Sequence, residues 1–287
     1  MKSWIVLIAL LLPAVGLCSP AAVETPPAHQ TFRLPSRHLH EPRVVNVYLP
    51  PGYSPLARGG YPTLYLLDGG VQEDFPHVAR ALDAAIRSGR VRPLLLVGIE
   101  NTQRRRDLTG PTRVASDRAI APQVGGSAAF RAFIADELIP AIASRYRVDA
   151  SRGLMGESLA GLFVVETLFE QPALFDTYLA LSPSLWWNDA ALARRAKARM
   201  GASPALRGRL FVASANEDNI VPHVATLQRA LRSKSPPGLY WTVKARPDLD
   251  HATIYRTLVP QLLVDYYGAV AAQDAGTALQ PRRPVTE

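Results

Sequence analysis

Cysteine is almost missing. Cys18 is the only one in 287 residues, so no intrachain disulfide can form and no multi-thiolate zinc or iron–sulfur site can be built. Lysine is nearly as scarce, four residues against 28 arginines. The formal net charge of +8 is therefore carried by guanidinium groups, and these are scattered along the chain. They form no recognition helix, zinc finger or aromatic ribonucleoprotein pattern, so the sequence gives no case for a nucleic-acid partner. A basic, soluble surface is the simpler reading, and an anionic substrate or polyanionic envelope, met faster in a positive field, is the second. Long apolar runs are missing after the first dozen residues, and no later segment is expected to span a membrane. With 48% hydrophobic and 20% charged residues, wholesale disorder is excluded and a large core is expected.

The N-terminus has its own pattern. Lys2 precedes an apolar stretch from Trp4 to Leu12, then Pro13 and small residues up to Gly16-Leu17-Cys18-Ser19. A positive start, a short hydrophobic middle and a small-residue end describe a secretory signal peptide, which predicts a periplasmic or secreted protein cut after Cys18. Lipidation of Cys18 is the weaker alternative, because the bulky Leu17 stands where lipoprotein signals want a small side chain. Residues 19–30, rich in proline and alanine, read as a linker, and 269–287 as a tail.

Between them, residues 31–268 read as one α/β domain. Thr31–Leu34 and Arg43–Leu49 alternate and are rich in β-branched residues, as expected of two antiparallel strands. Six short apolar runs follow: Thr63–Leu67, Pro93–Ile99, Arg152–Met155, Thr177–Leu181, Leu210–Ser214 and Tyr240–Val243. Runs of this kind separated by helices indicate parallel strands buried on both faces. Helical spacing appears at Phe130, Phe133, Ile134, Leu138, Ile139 and Ile142, with Arg131, Asp136 and Glu137 elsewhere on the wheel. It recurs at Val224, Leu227, Ala230 and Leu231, and at Leu258, Leu262, Leu263 and Tyr266.

The segment with chemistry is Gly156-Glu157-Ser158-Leu159-Ala160-Gly161, placed between a strand and an apolar helix. A serine on such a turn is held in a strained backbone conformation that only small neighbours two positions away tolerate, and its hydroxyl is lifted above the sheet edge. Ser158 is the candidate nucleophile, although Ala160 stands where the Gly-x-Ser-x-Gly pattern has its second glycine. The same placement also suits a serine that merely caps a helix. Chain order favours chemistry, because a doubly wound serine hydrolase requires serine, then acid, then histidine, each after a strand. The Leu210–Ser214 strand leads to Glu217 and Asp218, either of which could orient the base. The Tyr240–Val243 strand leads to His251, the candidate base. Charge developing on a substrate carbonyl would be met by the Leu159 N–H and by a second donor after Asp68-Gly69, for which Gly70 is the choice. None of this needs a metal or an organic cofactor.

Several stretches resemble the α/β-hydrolase esterase family that includes esterase D-type S-formylglutathione hydrolases, feruloyl esterases, mycolyltransferases and enterochelin-type siderophore esterases. They are Arg43–Tyr53, Tyr65–Gly69, Val97–Asn101 with Arg106–Thr109, Gly156–Gly161, Ser182–Trp187, Asn216-Glu217 and His251. The resemblance spans about 31–268 and implies an α/β-hydrolase fold: a mostly parallel central sheet, N-terminal antiparallel strands, and helices on both faces. The run Ser182-Pro183-Ser184-Leu185-Trp186-Trp187 looks most like the siderophore-esterase branch. An Asn-Glu or Asn-Asp pair carries the acid in several relatives, which tilts the choice toward Glu217. The expected activity is hydrolysis of a small-molecule carboxylic ester, with acyl transfer or a non-catalytic binding module as alternatives. Arg106, from the run Arg104-Arg105-Arg106, is the candidate for an anionic group, and Trp186 and Trp187 for an aromatic one. A solvated loop and a packed core are their plain alternatives.

The export reading is checked by intact mass of chain recovered from a periplasmic fraction. The expected species starts at Ser19; an acylated Cys18 at the N-terminus would replace this reading with the lipoprotein one.

Overall fold

The computed structural model describes residues 24–203 and 206–269. Residues 1–23, on which the expected signal peptide and Cys18 fall, and the expected tail from residue 270 lie outside the described residues. Eight strands form a single sheet: β1 His29–Ser36, β2 Glu41–Tyr48, β3 Tyr61–Leu66, β4 Leu95–Ile99, β5 Val148–Glu157, β6 Thr177–Leu181, β7 Gly208–Ser214 and β8 Leu239–Ala245. Their order is β1-β2-β4-β3-β5-β6-β7-β8. The first two strands are antiparallel to each other, β2 is antiparallel to β4, and all later pairings are parallel. This is the α/β-hydrolase arrangement. Each strand coincides with a segment legible in the sequence: the central ones as apolar runs, because strands covered on both faces must be apolar throughout, and the first two by their alternation.

The helices are α1 Phe75–Arg87, α2 Arg104–Asp107, α3 Ala115–Ala119, α4 Ser127–Phe133, α5 Ile139–Arg145, α6 Leu159–Glu170, α7 Trp187–Ala202, α8 Val221–Lys234 and α9 His251–Tyr267. A π-turn at Ile134–Leu138 joins α4 to α5. Pro140 follows it after Ile139, and a proline ring would clash with the carbonyl four residues back in a regular helix, so the wider turn accommodates it. The expected solvent side of this helix is also altered. Arg131 is buried, its guanidinium 5.3 Å from the Phe163 ring centre.

Side chains alternate across the sheet, as the two-residue strand period requires. Leu64, Leu66 and Leu96 face a core built with α1 and α9, where Phe75, Leu82, Ile254 and Leu263 pack. Tyr65, Leu95 and Val97 face the other core, formed with α4 to α8. Residues 24–30, expected as linker, partly join this body. Glu24 pairs with Arg256 at 2.7 Å, the His29 ring meets Phe75 edge-on at 5.2 Å, and β1 already starts at His29.

A charged cluster is sealed inside. Arg43 on β2 is fully buried, paired with Asp107 and with Glu41 at 2.8 Å, and lies 5.3 Å from the Phe130 ring centre. Arg106 closes the cluster, reaching Glu41 at 2.6 Å and Asp107 at 2.7 Å. The cluster ties α2, just beyond the end of β4, to the N-terminal strands. Arg43→Met, which leaves Asp107 and Glu41 without this buried cation, is expected to lower unfolding stability by about 3 kcal/mol, the scale for breaking a buried ion pair. Urea denaturation reads this; a change of midpoint within experimental error would mean that the pair contributes nothing.

Candidate active site

The carboxyl ends of the strands carry three residues with positive φ: Asp68 after β3 (φ 52), Ser158 after β5 (φ 60) and Ser182 after β6 (φ 37). Side chains other than glycine rarely adopt this region, and such strain collects where backbone must present a group at a sheet edge. Ser158 has ψ −119 and stands immediately before the first turn of α6. The sharpness of the bend explains the small residues around it. A Cβ on Gly156 would lie 2.5 Å from the Ala160 Cβ, and one on Gly161 would lie 2.9 Å from the Leu181 carbonyl oxygen. The methyl group of Ala160 therefore occupies the space that Gly156 leaves open, and the turn closes with one glycine at these two positions instead of two.

His251 opens α9, and its Nδ1 is hydrogen-bonded to Glu217 Oε1. Glu217 follows β7 and is largely buried, with the side chain 8% exposed. Its other oxygen accepts from the Ser182 hydroxyl and from the Ala215 N–H at 3.2 Å. The neighbouring Asp218 is exposed, so of the two candidate acids it is Glu217 that meets the histidine. The Ser158 hydroxyl lies 3.3 Å from the Ser184 hydroxyl. Among the described residues no hydrogen bond joins Ser158 to His251.

The Leu159 N–H, first in α6, belongs to the helix turn whose amides lack partners within the helix. Gly70 differs from the expectation, for its N–H is not open. Glu73 folds back across the turn, accepting from Gly70 N at 2.7 Å while its own N–H donates to the Gly70 carbonyl at 3.0 Å. Asn101 holds the other Glu73 oxygen through its side-chain amide at 2.8 Å.

Arg106 is placed away from the role expected of it, because both faces of its fork are taken up by Glu41 and Asp107. Arg104 is the member of the run that reaches the strand ends. It forms a forked pair with Asp68, both contacts 2.7 Å, and its Nη2 lies 3.4 Å from the carbonyl of Glu157. Trp187 is 4% exposed and donates its indole N–H to the Gly110 carbonyl at 2.8 Å, which makes it core. Trp186 is half-buried beside it, ring centres 5.9 Å apart. A cleft of about 220 Å³ opens next to Trp187 between α6 and α7, reaching Leu162 one turn beyond Ser158 and bordered by Glu166, Asn188 and Arg195. His77 points at Tyr255, ring centres 6.2 Å apart.

The sequence reading missed the crowd of carboxyl groups around this rim. Burial pushes Glu157 up to about 8, helped by the charges of Asp74, Glu217 and Asp68. Burial likewise pushes Asp74 up to about 7 and raises Glu73. One oxygen of Glu157 is buried without a hydrogen-bond partner. Their only sequence signal was acidic residues flanking apolar strand ends. Among the described residues, no group of three or more histidine, cysteine or carboxylate side chains is arranged to hold a metal ion.

The raised carboxyl has a consequence for stability. Folded Glu157 keeps a proton that the unfolded chain releases near its ordinary value of 4.5. Its contribution is therefore fully present below that pH and is lost as pH rises through about 8. Glu157→Gln is expected to flatten the decline of Tm between about pH 5 and pH 9. Calorimetry across that range checks it, and identical slopes for the two chains would contradict the assignment.

Residues 36–239 match the family described as "Putative esterase". The chain is 33% identical over 178 residues to the ferri-bacillibactin esterase BesA of Bacillus subtilis (strain 168), covering 57% of this chain and 61% of that protein. It is 41% identical over 95 residues to the siderophore triacetylfusarinine C esterase of Aspergillus fumigatus, covering 32% of this chain and 30% of that protein. Matches to the first two curated relatives span about three-fifths of their length, 61% and 62%. Among solved structures, it is similar to an IroE-like serine hydrolase from Shewanella oneidensis, with TM-score 0.74 and 29% identity over 84% of this chain and 80% of that one. No helix among the described residues is long and apolar enough to cross a membrane. The matched segment covers the strands that carry Ser158, Glu217 and their neighbours, and on that ground the chain belongs to the "Putative esterase" family of α/β-hydrolases.

Proposed function

We propose that this chain is an exported serine hydrolase that cleaves a carboxylic ester of the siderophore type through an acyl-enzyme. One observation carries the reading: Ser158 stands on a strained strand-to-helix turn, and the hydrogen-bonded His251–Glu217 pair lies at the same end of the sheet, two strands away. The names of the relatives support the substrate class.

In the proposed reaction the Ser158 hydroxyl turns from Ser184 to Nε2 of His251. Resting structures commonly lack this contact, which forms when substrate binds. His251 takes the proton as Ser158 Oγ bonds to the ester carbonyl carbon. Glu217 holds the ring through Nδ1 and stabilises the imidazolium. The developing oxyanion is met by the Leu159 N–H, and by Gly70 once its N–H leaves Glu73. His251 then protonates the departing alkoxide, and water, activated by the same ring, releases the acid from Ser158. Arg104 and Trp186 replace Arg106 and Trp187 as the cation and the aromatic surface available to substrate. Asp68 already neutralises Arg104, so the carboxyl-rich rim favours a neutral ester over an anionic group next to the scissile bond.

The test is a phosphonate reagent together with a substrate panel. The mature chain is expected to be labelled at Ser158 and to hydrolyse p-nitrophenyl acetate, with a catecholate trilactone outcompeting it. Ser158→Ala is expected to lose roughly 10⁴-fold or more in kcat. Full activity in that variant, or labelling elsewhere, would overturn the reading. Transfer of the acyl group to added alcohols in preference to water would make the chain an acyltransferase.

A further inference from the structure

The turn after β6 has two hydroxyls that face in different directions. Ser182 is fully buried, donates to Glu217 Oε2 and receives the Ala215 N–H at 3.3 Å. Ser184 is 2% exposed, lies 3.3 Å from the Ser158 hydroxyl, and donates its N–H to the Ser158 carbonyl at 3.0 Å. Pro183 separates them. The N–H of Ser182 is fixed on the Ala213 carbonyl of β7 at 2.8 Å, so the turn is anchored to the strand that delivers Glu217.

We propose that Ser182 and Ser184 are the positioning residues of this rim: Ser182 locks the Glu217 carboxylate so that Oε1 alone faces His251, and Ser184 holds the nucleophile in its resting orientation. The inference rests on the hydrolase reading above and extends it to how the acid and the nucleophile are kept in register.

The argument for Ser182 is geometric. A glutamate has three rotatable side-chain bonds and would wander without a second anchor. Here Oε2 is held by one hydroxyl and one amide, which leaves a single orientation for Oε1. Ser182 does this at φ 37, a conformation that glycine adopts without strain and serine does not. The hydroxyl is thus retained at a position where backbone alone would favour its removal. Ser184 touches the reacting oxygen itself, and its backbone bond to Ser158 ties that end of the turn to the start of α6.

The experiment uses the full mature chain with Ser182→Gly, Ser182→Ala, Ser182→Cys and Ser184→Ala, all assayed on p-nitrophenyl acetate with Tm recorded beside each. Ser182→Gly relieves backbone strain and is expected to fold at least as well as the natural chain. It is still expected to lose about tenfold or more in kcat with KM unchanged, since a hydrogen bond to a charged group is removed. Ser182→Ala is expected to lose as much, and Ser182→Cys, a weaker donor of similar shape, less. The downfield proton resonance of the His251 Nδ1–H is expected to move in the Ser182 variants and to stay in Ser184→Ala, whose effect is confined to kcat and to the rate of phosphonate labelling. Natural kcat in Ser182→Gly overturns the inference. A slow alanine variant beside a fast glycine variant also overturns it, because strain and not the hydroxyl would then be responsible. A natural chain that neither labels at Ser158 nor turns over ester removes the hydrolase reading itself, a different result from either of these.

Discussion

The structure turns on a contact too close for any extra atom: the approach of residue 156 to residue 160 across the bend from β5 into α6. A methyl group at one end of that approach is accepted because the other end has none. From this follow the positive φ of Ser158, the seating of α6 against β6 through Gly161, and the upward aim of the hydroxyl at the sheet edge. A longer side chain at 156 would not simply weaken packing. It would reopen the bend and move the whole of α6, whose side chains fill the middle of one core.

Around that bend the protein has gathered charge into paired groups. The cluster of Arg43, Glu41, Asp107 and Arg106 fixes the segment after β4, and that segment presents Arg104 to Asp68. The scarcity of lysine fits this use, since Arg104 and Arg106 each contact carboxylate oxygens through two nitrogens of a planar fork that an ammonium cannot reproduce. Near the rim, burial and the neighbouring carboxylates push Glu157 up to about 8 and Asp74 up to about 7.

The architecture was legible in the sequence because strands covered on both faces must be continuous apolar runs, while the first two strands showed by alternation, and all eight lie where those two patterns lie. The order of serine, acid and histidine was legible for the same reason, since each follows a strand. Other features were hidden by their physics. Three consecutive arginines cannot be told apart in a string, and only the rotation of one short helical turn decides that Arg104 faces the rim while Arg106 faces Glu41. Two adjacent tryptophans likewise divide between core and half-buried surface at a kink where Asn188, Asp189 and Ala190 all take positive φ. The fold-back of Glu73 onto Gly70 depends on a turn with no periodic signal. The two serines near the rim carry no charge or pattern of their own, and parallel register alone brings them to Glu217 and Ser158.

The carboxyl groups at this rim bear on how a turnover would finish. Ester cleavage converts an uncharged group into a carboxylate, and on the proposed reading that new anion is born beside Asp68, Glu73 and Glu217, joined by the charges of Asp74 and Glu157 once pH rises through about 7 and about 8. Like-charge repulsion then acts on the acid and not on the ester that preceded it. The site would expel what it makes, so the accumulating acid would be a poor inhibitor and the reverse reaction would meet an electrostatic barrier at the entrance.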